Sequence, residues 1–188
     1  MIAHHGTIVQ GLKRLEPFAG PHSRLKYPCV YLSANQALAA IYIWKHPFRW
    51  MTFDIADNGI PIYNESFEGA LRELYGGVRG CIYTCDGDFA VDGNTTIKHA
   101  VVSKAAVDVV ETDIVENAYE RIMQCEKDGL LKINRHDALT DREKENNRNM
   151  VMSAIKGLDL LKGEHVLSGF VASKFPDIWE EARRALRP

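Results

Sequence analysis

Near the head of the chain stand His5-Gly6-Thr7, and two tyrosines follow, Tyr31 and, eleven positions further on, Tyr42. An imidazole offers a hydrogen-bond donor and acceptor, the glycine leaves a backbone amide uncovered by any side chain, and two phenol rings offer flat faces for an aromatic ligand. The set suits holding and orienting a planar ring, with hydrogen bonds at its edge. Thr7 and Ser33 add hydroxyls beside it, and both also have ordinary roles at a turn or a helix cap. His5 is the stronger histidine candidate than His4 because it directly precedes the glycine.

Three elements must position these residues. β-rich runs predict strands over 2–5, carrying His5, and over 28–33, carrying Tyr31. Ser33 is the expected N-cap of a helix from about Ala34 to Trp44, which places Tyr42 on that helix. Further strands are predicted over 49–55, 60–63, 79–85 and 98–111, with Asn58-Gly59 as the clearest hairpin signal because both residues tolerate positive φ. A helix over 65–75 aligns Phe67, Leu71 and Leu74 before Gly76-Gly77 stops it. Another starts near Glu116 and includes Tyr119, Ile122 and Met123. Thr140 caps a charged amphipathic helix with Met150, Ile155 and Leu158 on one side, and two last helices fall around 164–174 and after Pro176.

Strand-like and turn-rich sequence gives way near residue 115 to helical patterns rich in Glu, Lys, Arg, Leu and Ala. The expected fold class is therefore α+β, with a sheet-bearing domain over 1–115 and a helical extension over 116–188 packed on it.

At 188 residues, with 46% hydrophobic and 26% charged content, the chain has material for one ordinary core or a core plus a small appendage. A net charge of -2 argues against indiscriminate nucleic-acid binding, and the Arg183, Arg184 and Arg187 cluster reads as a solvated helix end. No apolar run approaches membrane-spanning length, so no membrane partner and a cytoplasmic location are expected. Cys29, Cys81, Cys85 and Cys125 have neither zinc-finger spacing nor nearby histidines and read as reduced, mostly buried thiols.

The order His5-Gly6-Thr7, then Val30-Tyr31-Leu32-Ser33, then Ala39-Ala40-Ile41-Tyr42 resembles the ADP-ribosyltransferase superfamily, in its histidine-tyrosine branch related to diphtheria toxin and the poly(ADP-ribose) polymerases. The resemblance covers residues 1–115 and implies a split β-sheet core with helices. It also implies NAD as co-substrate, nicotinamide displacement and ADP-ribose transfer, a glycosyltransferase activity, to a protein or nucleic-acid acceptor the sequence does not name. On this resemblance His5 would bond a ribose hydroxyl, Gly6 would present backbone groups to the nicotinamide carboxamide, and Tyr31 and Tyr42 would flank the ring. Thr7 and Ser33 would add hydroxyl contacts.

Members of that family commonly supply a glutamate from a later strand, against the ribose that becomes cationic. Here the corresponding region is Lys98-His99-Ala100-Val101-Val102-Ser103, with no carboxylate; His99 stands as a substitute, and Glu111 and Glu116 as later alternatives. The expectation for function is accordingly a mono-ADP-ribosyltransferase-like protein. Its alternatives are a catalytically weakened NAD- or ADP-ribose-binding module and a structural or interaction protein whose C-terminal helices do the work. A related variant is RNA 2′-phosphotransferase chemistry, for which Arg24, Arg72 and Arg79 would supply phosphate contacts. A homo-oligomer is compatible with all of these.

Other chemistries find less support. His22, His46, His99, His136 and His165 form no HExxH or similar ligand set, so no metal is expected. Asp86-Gly87-Asp88 and Asp92-Gly93-Asn94 lack the remaining oxygens of a calcium loop, and Gly76-Gly77 and Gly80 lack the lysine of a phosphate loop.

Overall fold

The computed structural model describes residues 1–19, 25, 27–91 and 99–185. His22, Arg24, Asp92-Gly93-Asn94, Lys98 and Arg187 lie outside the described residues. The chain is a mixed α and β protein that divides into two compact units, interleaved in sequence. The first takes Met1–Pro47, Ile55–Pro61 and Leu71–Lys132, and the second Phe48–Asp54, Ile62–Ala70 and Ile133–Pro188. The change in composition near residue 115 and this division fall at different places. Contacts between chain-distant segments draw the division, whereas helix propensity draws the compositional change.

The first unit is built on five strands, β1 (Ile2–Thr7), β3 (Val30–Ser33), β6 (Gly80–Asp86), β7 (Ala100–Ser103) and β9 (Glu111–Val115). They form one antiparallel sheet in the order β7-β3-β1-β6-β9. One face carries Ala3, Val30, Leu32, Cys81, Tyr83, Cys85 and Val101 in a buried cluster with Leu15 and Val107. The short strands β2 (Arg14–Leu15) and β8 (Val107–Asp108), which contribute those last two residues, pair with each other. Helix α1 (Gln36–Ile41) contacts β1, β3 and β6 on one side and α3 (Ala118–Lys127) on another. Five of its six residues are buried, which is why it reads apolar nearly all round.

Gly6 sets how closely α1 approaches, and Gly80 how closely Thr7 and the Ile43 side chain do. A Cβ built on Gly6 would sit 1.8 Å from the Ala39 carbonyl oxygen, and one on Gly80 would meet Thr7 O at 2.4 Å and Ile43 Cγ2 at 2.5 Å. Both positions are closed to any larger residue by main-chain atoms.

In the second unit β4 (Met51–Ile55), β5 (Pro61–Glu65) and β10 (Lys132–Asn134) form a three-stranded sheet in the order β10-β5-β4. Trp50 is fully buried there, its ring among Phe48, Phe170 and Phe175. Helix α4 (Asp141–Gly157) starts at Thr140, the cap expected from the sequence, which forms a capping box with Glu143, and is followed by α5 (Ser168–Lys174) and α6 (Pro176–Ala185). The inner face of α4 is Asn147, Val151, Ala154 and Ile155, not an all-apolar stripe. Thr52 Oγ1 donates to Asn147 Oδ1 at 2.7 Å, and Asn147 Nδ2 donates to Glu65 O at 3.0 Å. Removing the amide leaves the buried Glu65 carbonyl without this donor and the half-buried Thr52 hydroxyl without its acceptor, so Asn147→Ala is expected to cost about 2–3 kcal/mol, read as a lower melting temperature. An unchanged melting temperature would show that water replaces the amide.

Three predicted elements shift, each for a local reason. The run 98–111, expected to contain strand, holds more than one, because Ser103 Oγ donates to Ala105 O and accepts from Ala105 N, ending β7 in a tight turn. The next strand, β8, pairs in a different sheet, and β9 begins at Glu111. The helix expected over 65–75 starts only at Ala70, as α2 (Ala70–Tyr75), since Glu65 ends β5, Ser66 Oγ donates to Trp50 O, and Gly69 turns left-handed at φ 72. Ser33 does not cap α1: its Oγ accepts from Asn35 N, and Asn35 Oδ1 takes the capping bond from Leu38 N. Tyr42 is thus the residue that closes α1, one position past its last turn.

No helix among the described residues is long and apolar enough to cross a membrane. All four cysteines are buried free thiols, and burial pushes Cys85 up to about 11.

Candidate functional site

The sheet opens at the residues singled out first. β1 pairs with β6 along its whole length, from Ile2 with Asp86 to Thr7 with Cys81, but with β3 at a single position, His4 with Ser33. Beyond that pair the β3 side of β1 is not laddered, and the His5 side chain bridges across it: Nδ1 lies 2.8 Å from Tyr31 O. A carbonyl oxygen only accepts, so Nδ1 must carry the proton. In the neutral ring Nε2 is then an acceptor.

Burial pulls the His5 pKa below 6.5, with the Tyr31 carbonyl opposing by a smaller amount. The ring is neutral at neutral pH. Between its lowered value and 6.5 the unfolded chain binds more protons at His5 than the folded one, so stability is full above 6.5 and falls as pH drops through that window. Burial also lowers His4, against the neighbouring charge of Glu111, and adds a loss of the same sign. The melting temperature is expected to fall from about pH 7 to about pH 5, with a shallower slope in His5→Asn. Equal slopes would show that His5 is not among the titrating groups.

Strand alternation decides which rings meet. His5 is directly opposite Tyr83, on the face of the large cluster, while Tyr31 is opposite Val102 and packs with Leu25 and Cys29 on the other face. The structure therefore brings His5 to the main chain of Tyr31, and sets the two rings on opposite faces. Gly6 shares the Tyr31 face, under α1, so its α-carbon faces the helix. Tyr42, at the end of that helix, lies beside Trp44 with ring centroids 5.5 Å apart.

The two hydroxyls have local duties. Thr7 Oγ1 accepts from Val9 N at 3.2 Å, making a turn, and Ser33, with 5% of its surface exposed, makes the turn into α1.

Of the two carboxylate alternatives, Glu116 is paired with Arg79; nearby on β9, Asp113 is paired with Arg121 through two guanidinium nitrogens. Glu111 is exposed and opposite Thr84, whose Oγ1 lies 3.2 Å from His4 Nδ1. Ser33, His4, Thr84 and Glu111 thus form a polar row straight across four strands. No sequence signal marks that row, because strand register creates it. His99, in left-handed backbone at φ 69, has Nε2 at 2.7 Å from Gly59 O and so donates to the hairpin turn. Of the arginines expected to make phosphate contacts, Arg72 lies over the Tyr119 ring and Arg79 holds Glu116. Among the described residues no group of three or more His, Cys, Asp or Glu side chains could hold a metal ion.

The chain is a mixed α and β protein whose antiparallel sheet carries a neutral, tautomer-fixed histidine where β1 meets β3. No protein-family model, no curated protein and no solved structure matches the chain.

Proposed function

We propose that this chain is an ADP-ribosyltransferase-like protein that takes NAD as co-substrate at the parting of β1 and β3, displaces nicotinamide and passes ADP-ribose to a protein or nucleic-acid acceptor. The observation that carries the reading is the His5 hydrogen bond to Tyr31 O, which turns Nε2 into an acceptor for a hydroxyl donor such as a ribose hydroxyl. A neutral ring there also leaves the developing positive charge at the ribose unopposed. Gly6 and Tyr42, at the sheet and the end of α1, supply the remaining parts of the nicotinamide slot in this proposal.

A second reading is favoured by a separate observation. Residues Ala100–Ser103 carry no carboxylate, and His99 is tied to Gly59 O, so the region expected to stabilise the cation does not supply a negative charge. On that reading the chain binds NAD or ADP-ribose without turnover.

Calorimetry with NAD, followed by an assay for released nicotinamide, separates the two. Saturable binding with release is the result expected of the transferase, and binding without release across protein and RNA acceptors that of the binding module. No binding by a folded preparation removes both.

A further inference from the structure

The chain leaves β1 directly after His5-Gly6-Thr7 and enters a loop that is held from beneath. Tyr83, fully buried on β6, reaches it with its hydroxyl: Oη donates to Val9 O at 2.9 Å and accepts from Leu12 N at 3.1 Å. Thr7 Oγ1 takes Val9 N, and Gly11 supplies the left-handed turn between the two anchors at φ 78. One phenol thus closes both ends of a short loop. It does so from the position directly opposite His5, since His5 and Tyr83 are cross-strand partners on the same face.

We infer that Tyr83 is a positioning residue, whose hydroxyl clamps the Val9–Leu12 loop over the sheet face that carries His5 and so makes the loop a fixed wall beside the imidazole. The inference rests on the NAD reading for its consequence in binding, but not for its geometry. Two properties of the molecule fit the clamp. The His5 ring is withdrawn from solvent strongly enough to lower its pKa, and Leu12, at the far end of the loop, packs against the buried cluster on the face that carries His5. The Tyr83 ring itself fills the core with Ala3, Leu32 and Cys85, so the hydroxyl is the part of the residue left over for another task.

Tyr83→Phe keeps the ring and removes the clamp. Hydrogen exchange should show the Leu12 amide exchanging about tenfold faster or more than in the unaltered chain. Histidine NMR should show the His5 titration moving up toward 6.5 as water reaches the ring. A merely structural tyrosine would move neither while the fold is retained. NAD affinity should weaken about fivefold, in keeping with loss of one main-chain anchor. Unchanged Leu12 exchange and an unchanged His5 titration would overturn the inference. Should the variant fail to fold, exchange in the unaltered chain decides: a protected Leu12 amide supports the clamp, and exchange at the rate of an open loop overturns it. If neither chain binds NAD but Leu12 and His5 respond as stated, the clamp stands and the NAD reading fails.

Discussion

Replacing Gly6 by alanine is expected to lower the melting temperature by roughly 10 °C, since no other described glycine would bring a methyl group so close to main chain. The added carbon would lie 1.8 Å from the Ala39 carbonyl oxygen and 2.7 Å from its carbon, distances no non-bonded Cβ tolerates. Neither partner can yield alone. Gly6 is laddered to Ile82 on the sheet side, and Ala39 sits inside a helix whose neighbours are all buried and whose carbonyl already accepts from Tyr42 N. Either α1 lifts from the sheet or the β1–β6 ladder bends, and such backbone overpacking costs about 3–5 kcal/mol.

The same substitution separates two explanations of the glycine. If Gly6 serves helix packing, the loss is the same with and without NAD. Were the variant to melt like the unaltered chain and lose only NAD affinity, close ligand approach would be the reason for the glycine and the packing account would be wrong.

His5→Asn should weaken NAD binding about ten- to a hundredfold while leaving the fold in place. Asparagine reproduces one half of the imidazole's work: its Nδ2 can still donate to Tyr31 O, so the main-chain carbonyl keeps its partner. It has nothing where Nε2 stood. A ribose hydroxyl that loses its acceptor in a withdrawn site costs about 1–3 kcal/mol, which is the stated range in affinity. His5→Ala removes both bonds and should lose stability as well as affinity. Isothermal titration of the two variants beside thermal melts therefore distinguishes the ligand role of Nε2 from the structural role of Nδ1.

Legibility in the sequence differs from residue to residue. The Thr140 cap is legible because capping is a local device, here a box with Glu143 complete within four positions. The Asn58-Gly59 reversal is legible for the same reason, with Gly59 at φ 84 and Ile60 N donating to Asn58 Oδ1. Ser33 against Asn35 is a harder case, since both side chains are good caps and only the path of β3 into α1 decides which one reaches the helix amides. The interleaving of the two units is not legible at all. It depends on β4 and β5 pairing with β10, from a distant part of the chain.

The candidate site shows the same limit. The sequence singles out His5 and Tyr31 by type and setting, and in the structure the imidazole bonds the Tyr31 main-chain carbonyl, not its ring. That their rings lie on opposite faces depends on a pairing register that shifts every side chain to the other face if it slips by one residue. Nothing near Tyr83 in sequence marks it as a neighbour of His5, because cross-strand partnership over so long a stretch of chain is a property of the sheet. Its hydrophobic alternation reads as core, which it also is.

The most direct test of the central claim is isothermal titration of the folded chain with NAD, run in parallel with His5→Asn. The expected result is saturable binding to the unaltered chain and at least tenfold weaker binding to the variant at equal thermal stability. No binding to the unaltered chain, or equal affinity in both, would contradict it.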